Sequence, residues 1–164
     1  MTLQDITIRT TLEPGDAGYV IHLHGKLYKE EYDYGVGFET YVAAGFREFY
    51  QQYDTTKDRV WIAEHNNRII GFVLLMHRPD NAAQLRYFLI DPAYRGIGLG
   101  GKLMKLFMEF YNQCGYTSCY LWTTSELYTA ASLYRRFGFE LVEEHPSNDF
   151  GKAVIENKYV LKNQ

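Results

Sequence analysis

The stretch "DPAYRGIGLGGKL", Asp91 to Leu103, fits three phosphate-loop patterns, and only one of them can hold. Gly96, Gly98 and Gly101 spell the G-x-G-x-x-G of dinucleotide-binding folds. Gly96, Gly101 and Lys102 spell all but the last letter of the triphosphate loop G-x-x-x-x-G-K-[ST]. Arg95, Gly96, Gly98 and Gly100 spell a third pattern, R-G-x-G-x-G. All three rest on the same physics. A Gly-rich turn feeding a helix aims unpaired N–H groups and the positive end of the helix dipole at one point, which suits phosphate oxygens.

Outward from the loop, residues 83–91, "AQLRYFLID", read as a strand stopped by Asp91-Pro92. Leu99, Leu103, Leu106, Phe107, Phe110 and Cys114 mark a helix ended by Gly115, and "TSCYLW" is the next strand. That strand–turn–helix–strand unit predicts a right-handed parallel crossover. Before it, "ITIRTTL" (6–12) reads as a strand, Asp16 as a helix N-cap, and Tyr19 to about Tyr32 as the helix. Phe38, Tyr41, Val42, Gly45, Phe46, Phe49 and Tyr53 mark a second helix. "RVWIAEHNNRIIGFVLLMH" is a hairpin around a His-Asn-Asn-Arg turn. After the crossover, Leu127 to Phe137 predicts a short helix, with "FELVEEH" and "AVIENKYVL" as closing strands. The order βααβββαβαββ predicts one α/β domain with a mixed sheet (α+β in character), spanning residues 6–164.

The composition agrees. A chain of 164 residues supports one well-buried core, and 46% apolar with 23% charged residues is ordinary for a globular domain. A net charge of −3 gives no reason to expect nucleic acid as a partner. No apolar run reaches the ~20 residues that span a bilayer, so no membrane partner is expected. The N-terminus lacks the basic head and apolar run of a secretory signal, and Cys114 and Cys119 form no disulfide framework. A reduced, cytoplasmic protein without a metal is the expectation.

Context decides among the loops. Position 103 is Leu, so the hydroxyl that would hold Mg²⁺ in the triphosphate loop is missing. A dinucleotide loop normally opens a doubly wound sheet with several further βα units, but here it lies past the chain midpoint. The third pattern accounts for more residues, since Arg95 adds a cation beside the amides. "LRYFLIDPAYRGIGLGGKLM" and "AASLYRRFGFE" together resemble the GNAT superfamily of N-acetyltransferases. The second matches its A-x-x-x-Y-x-x-x-G-F signature at Ala130, Tyr134, Gly138 and Phe139. "GDAGYVIHLHGKLYKEEYDYG" is also similar to the acetyltransferase half of MarR-type regulator fusions, whose DNA-binding half is not in this sequence.

The resemblance implies acetyl-CoA as co-substrate, lodged between two splaying strands at residues 84–90 and 118–123. Main-chain groups of Phe88, Leu89 and Ile90 would bond the pantetheine and polarise the thioester. Arg95, Gly96, Ile97, Gly98, Leu99, Gly100, Gly101 and Lys102 would hold the pyrophosphate. Tyr134 would protonate the departing thiolate, though from spacing alone it also reads as a core tyrosine. Leu127 stands where the family keeps an Asn, so Thr124 and Ser125 are the polar substitutes.

Acetyl transfer by direct attack in a ternary complex needs a neutral amine, and a lysine-like amine has a pKa near 10.4. Gln84 stands where many relatives carry a Glu base, leaving Glu64, His22, His24 or a water relay. The first helices would line the acceptor pocket, with His22, His24, Tyr28, Glu31 and Tyr32 as candidates beside a small-molecule or protein amine. The bland reading packs these tyrosines in the core and leaves the carboxylates solvated. A non-catalytic acyl-CoA sensor is the rival function, and a homodimer that completes the pocket is a further expectation.

Overall fold

The computed structural model describes residues 1–162. In chain order the elements are β1 (Thr7–Arg9), α1 (Asp16–Tyr32), α2 (Val36–Gln51), β2 (Arg59–His65), β3 (Arg68–Arg78), β4 (Ala82–Ile90), α3 (Leu99–Cys114), β5 (Ser118–Thr124), α4 (Tyr128–Arg136), β6 (Phe139–Ser147) and β7 (Val154–Leu161), with 3-10 turns at Leu3–Asp5 and Pro92–Tyr94. This is the predicted order. The strands form one seven-stranded sheet in the sequence β1-β2-β3-β4-β5-β7-β6. By contact density the chain divides into two units.

The first unit comprises Met1–Leu12 and Asp54–Cys119. Its strands β1 to β4 pair antiparallel in sequence order. Asn66 (φ 50°) and Asn67 (φ 59°) make the tight β2–β3 turn, because Asn tolerates the left-handed region the turn demands. Strand β3 is buried from Ile69 to Met76 without alternation, the pattern of a strand covered on both faces. Helix α3 buries Leu99, Leu103, Met104, Phe107, Phe110 and Tyr111, and Trp61 of β2 meets the Phe107 and Phe110 rings at 5.8 and 5.9 Å. Leu103 has no exposed surface, so position 103 serves the core.

The second unit comprises Glu13–Tyr53 and the residues from Tyr120 onward. Here β7 pairs antiparallel with both β5 and β6. Helix α2 buries Phe38, Val42, Gly45, Phe46 and Phe49 along one stripe. The aromatic richness of the chain has its main use here: Tyr28, Tyr34, Phe38 and Phe150 form a ring cluster with centroids 4.5–5.7 Å apart.

Two local expectations are corrected. The first strand is three residues long, not seven: pairing with β2 ends at Arg9↔Ile62, and the Arg9 guanidinium donates to Thr11 O at 2.6 Å where the chain leaves the edge. Gly15 (φ 98°), not Asp16, is the N-cap of α1. Asp16 is the first helical residue, buried, and its Oδ2 accepts from Glu13 N at 2.7 Å.

Candidate active site

The loop before α3 is built by local bonding. Asp91 accepts from Ala93 N at 2.9 Å through Oδ1 and from Arg68 Nη2 at 2.9 Å through Oδ2. Gly96 (φ 78°) and Gly98 (φ 88°) then take left-handed backbone that bulkier residues adopt only with strain, and Gly98 is the N-cap of α3. Leu99, Gly100 and Gly101 supply first-turn amides that no intrahelical carbonyl can reach. The amide of Lys102 is already used, donating to Gly98 O at 3.1 Å, so Lys102 has only its exposed ammonium to offer. Ile97 is half-buried and Leu99 is buried, so Leu99 would serve a ligand through its backbone alone.

A Cβ on Gly96 or Gly101 would meet nothing within 4 Å. Gly in a helix costs about 1 kcal/mol relative to Ala, and no packing demand in the chain accounts for Gly101. The space beside this turn is open, which is what close approach of a polyphosphate needs. Arg95 is exposed beside it, with Nε donating to Ile90 O at 3.1 Å.

Strand β4 carries a bulge just upstream. Leu74 pairs with Arg86 and Phe72 with Leu89, so Tyr87 and Phe88 together face Val73 alone. Tyr87 sits at φ 59°, a left-handed conformation that is an outlier for an aromatic residue. Beyond the bulge, Asp91 N donates to Ile70 O at 2.8 Å. By antiparallel alternation the Ile90 N–H, one residue earlier, faces away from β3. The sequence reading named Phe88, Leu89 and Ile90 but missed Tyr87, because propensity reads a Tyr inside a β-rich run as regular strand.

Tyr134 lies on α4 with 5% of its surface exposed, its ring 6.2 Å from Phe139 and 6.3 Å from Tyr159. Burial pushes its phenol far above the ordinary value, with smaller contributions from Tyr28 and Tyr159. It stays protonated at every pH at which the protein would be assayed. Thr124, expected at the pantetheine, is buried and shares a 2.6 Å hydrogen bond with Tyr34 Oη. Ser125 donates its amide to Ile155 O at 2.9 Å, and with Glu126 it lines a cleft of about 270 Å³.

The expected bases fare poorly. Glu64 Oε1 takes both Arg9 Nε at 3.0 Å and Nη2 at 2.9 Å, so this carboxylate oxygen is already engaged by a guanidinium. His24 is 2% exposed, its Nδ1–H donates to Val20 O at 2.8 Å, and desolvation lowers its pKa to about 4. It is a neutral core imidazole stacked 5.7 Å from Tyr28. Gln84 is buried and accepts from Arg78 Nε at 2.8 Å.

His22 and Glu31 are exposed on α1, whereas Tyr28 and Tyr32 belong to the aromatic cluster with Tyr34. Residues distant in sequence complete that cluster. Phe150 stacks 5.7 Å from Tyr34, and Lys152 Nζ donates to Tyr32 O at 2.6 Å and pairs with Glu126 Oε2 at 3.0 Å. No local motif announced Glu126, Phe150 or Lys152. The only signals were Gly35 and Gly151, in turns more than a hundred residues apart.

Comparison with known proteins bears on the fold and the family. The model of the Acetyltransferase (GNAT) family matches residues 25–139. The uncharacterized N-acetyltransferase YjgM of Escherichia coli (strain K12) is 32% identical over 99 residues, which are 58% of this chain and 59% of that protein. The chain thus spans about three fifths of that relative's length. A GNAT-family acetyltransferase structure from Staphylococcus aureus Mu50 superposes with a TM-score of 0.77 at 18% identity, over 95% of this chain and 98% of that one. A GNAT acetyltransferase from Elizabethkingia anophelis, solved with acetyl-CoA bound, gives 0.64 at 18% identity, over 97% and 99%. With the glycine turn before α3, the bulged β4 and the A-x-x-x-Y-x-x-x-G-F helix in one chain, and a family model covering most of it, the chain belongs to the acetyltransferase (GNAT) family.

Proposed function

We propose that this protein transfers the acetyl group of acetyl-CoA to a primary amine, by direct attack within a ternary complex. The observation that carries the reading is the turn at Gly96–Gly101. It combines two left-handed glycines, first-turn amides of α3, and space where a Cβ on Gly96 or Gly101 would touch nothing. Arg95 and the Lys102 ammonium add positive charge beside those amides, matching a pyrophosphate.

In this reading the Ile90 N–H, turned away from β3, donates to the thioester carbonyl and to the oxyanion that develops there. Tyr134 donates to the sulfur as the C–S bond breaks. A phenol this desolvated ionises only at high pH, so Tyr134 is available as a proton donor and not as a base. The incoming amine loses its proton to water, since Gln84 is no base and Glu64 is held by Arg9. The reduced cytoplasm is the proposed compartment, and the two cysteines are free thiols.

The test follows free-thiol release from acetyl-CoA across a panel of primary amines, beside calorimetry with acetyl-CoA, NAD and ATP. Acetyl-CoA binding with thiol release is the expected result. Tight binding without turnover on any amine would turn the reading to a sensor, and heat with NAD or ATP but none with acetyl-CoA would overturn it.

A further inference from the structure

Within the first unit, the tip of the β2–β3 hairpin is built to reach the turn that precedes α3. Ala63 pairs with Gly71 but Glu64 with Ile69, so Ile70 is an extra residue in β3. A bulge of this kind bends the strand and re-aims the side chains beyond it. Past the bulge, Asn66 and Asn67 close a two-residue turn that sets His65 directly opposite Arg68. Residues so paired send their side chains to the same face, where they act as two prongs.

Both prongs and the bulge engage the same few residues. The carbonyl of Ile70 accepts from Asp91 N at 2.8 Å, and Arg68 Nη2 donates to Asp91 Oδ2 at 2.9 Å. His65 Nδ1 shares a 2.9 Å hydrogen bond with Tyr94 Oη, their rings edge to face at 5.6 Å. Tyr94 closes the 3-10 turn Pro92–Tyr94, its amide donating to Asp91 O at 2.9 Å, and Arg95 and Gly96 come next. The Arg68 side chain is 59% exposed, so water screens its pairing with Asp91. His65 and Tyr94 are both half-buried, and their bond is the less screened of the two.

The chain beyond Tyr94 has little to hold itself. Gly96, Gly98, Gly100 and Gly101 bring no side chains, and glycine loses more freedom on ordering than any other residue. A loop fixed at its entrance has less of that freedom left to lose when a ligand arrives, which raises affinity without a new contact. Resting on the proposed acetyl-CoA site, we infer that His65 is a positioning residue: through Tyr94 it fixes the 3-10 turn that presents Arg95 and the glycine backbone to the pyrophosphate. In this role it acts on binding and not on the chemical step.

The experiment uses the full chain and four variants. Tyr94→Phe loses only the hydroxyl, His65→Leu loses the ring nitrogens, a double variant combines them, and His65→Asn places a polar atom where Nδ1 stands. In calorimetry with acetyl-CoA, Tyr94→Phe and His65→Leu should each bind roughly three- to tenfold more weakly, the range for one neutral hydrogen bond. The double variant should be no weaker than either alone, since the same bond is lost in all three, and His65→Asn should recover most of the affinity. The KM for acetyl-CoA should rise with Kd, while kcat at saturation stays within about a factor of two of the parent. Without ligand, hydrogen exchange at the Tyr94, Arg95 and Lys102 amides should quicken in Tyr94→Phe, and thermal melts check that every variant folds. A lower melting temperature with unchanged affinity and unchanged exchange would make the bond merely structural and overturn the inference, as would losses that add in the double variant. Should the parent bind no acetyl-CoA while Tyr94→Phe still quickens exchange, the proposed activity falls and the fastening of the loop stands.

Discussion

The amide of Gly35 donates to the carbonyl of Phe150 at 2.8 Å, tying the α1–α2 turn to the β6–β7 loop. The contact is so close that a Cβ on Gly151 would lie 2.9 Å from Gly35 N and 3.0 Å from Gly35 Cα. Gly151 also sits at φ 84°, where any other residue is strained. Gly151→Ala is therefore expected to destabilise the fold by about 1–3 kcal/mol in urea denaturation. It should raise the KM for the amine more than the Kd for coenzyme A, since Phe150 and Lys152 ride on the displaced loop.

Tyr134→Phe removes one hydroxyl from a buried ring and keeps its packing against Phe139 and Tyr159. Coenzyme A affinity should stay within a factor of two, and kcat should fall roughly 10²-fold, the lower end for general acid catalysis. Steady-state kinetics beside calorimetry make the comparison. Turnover equal to the parent would reduce Tyr134 to a core residue.

His24 makes stability depend on pH. Its folded pKa is about 4 against 6.5 for an unperturbed imidazole, so between those values the unfolded chain binds a proton that the native chain refuses. The stabilisation is fully present above pH 6.5 and is lost as pH falls toward 4. It amounts to something on the order of 3 kcal/mol for one buried group. Urea midpoints at pH 7.5 and 4.5 measure the loss, and His24→Phe should flatten the difference.

Gly101→Asp separates binding from folding. The new Cβ meets no protein atom within 4 Å, and an acidic residue in a first helical turn suits the dipole, so the melting temperature should hold. The added negative charge beside the proposed pyrophosphate should weaken acetyl-CoA binding at least tenfold, with NAD and ATP as controls.

Much of the first unit was legible in the sequence, because its signals are local. The 3.6-residue apolar period of α3, the Asn66-Asn67 turn and the Gly-rich entry to α3 each depend on neighbours within a few residues. Tyr134 was reached through the signature helix that carries it. What lay hidden was non-local or against propensity. Thr124 read as a free polar group, but Tyr34, ninety residues earlier, takes its hydroxyl. His24 read as a base, but burial on the inner face of α1 keeps it neutral. Glu64 read as a strand-end carboxylate, and only β1 pairing reveals Arg9 beside it.

Tyr87 carries a lesson for anyone who wishes to toughen this molecule. A left-handed tyrosine in mid-strand wastes on the order of 1 kcal/mol that a glycine or asparagine at the same place would recover. Screens for thermostable variants should keep finding that position. Gains collected there would come from relaxing the kink that turns the Ile90 amide outward, so heat resistance and acetylation rate should trade against each other at this one residue.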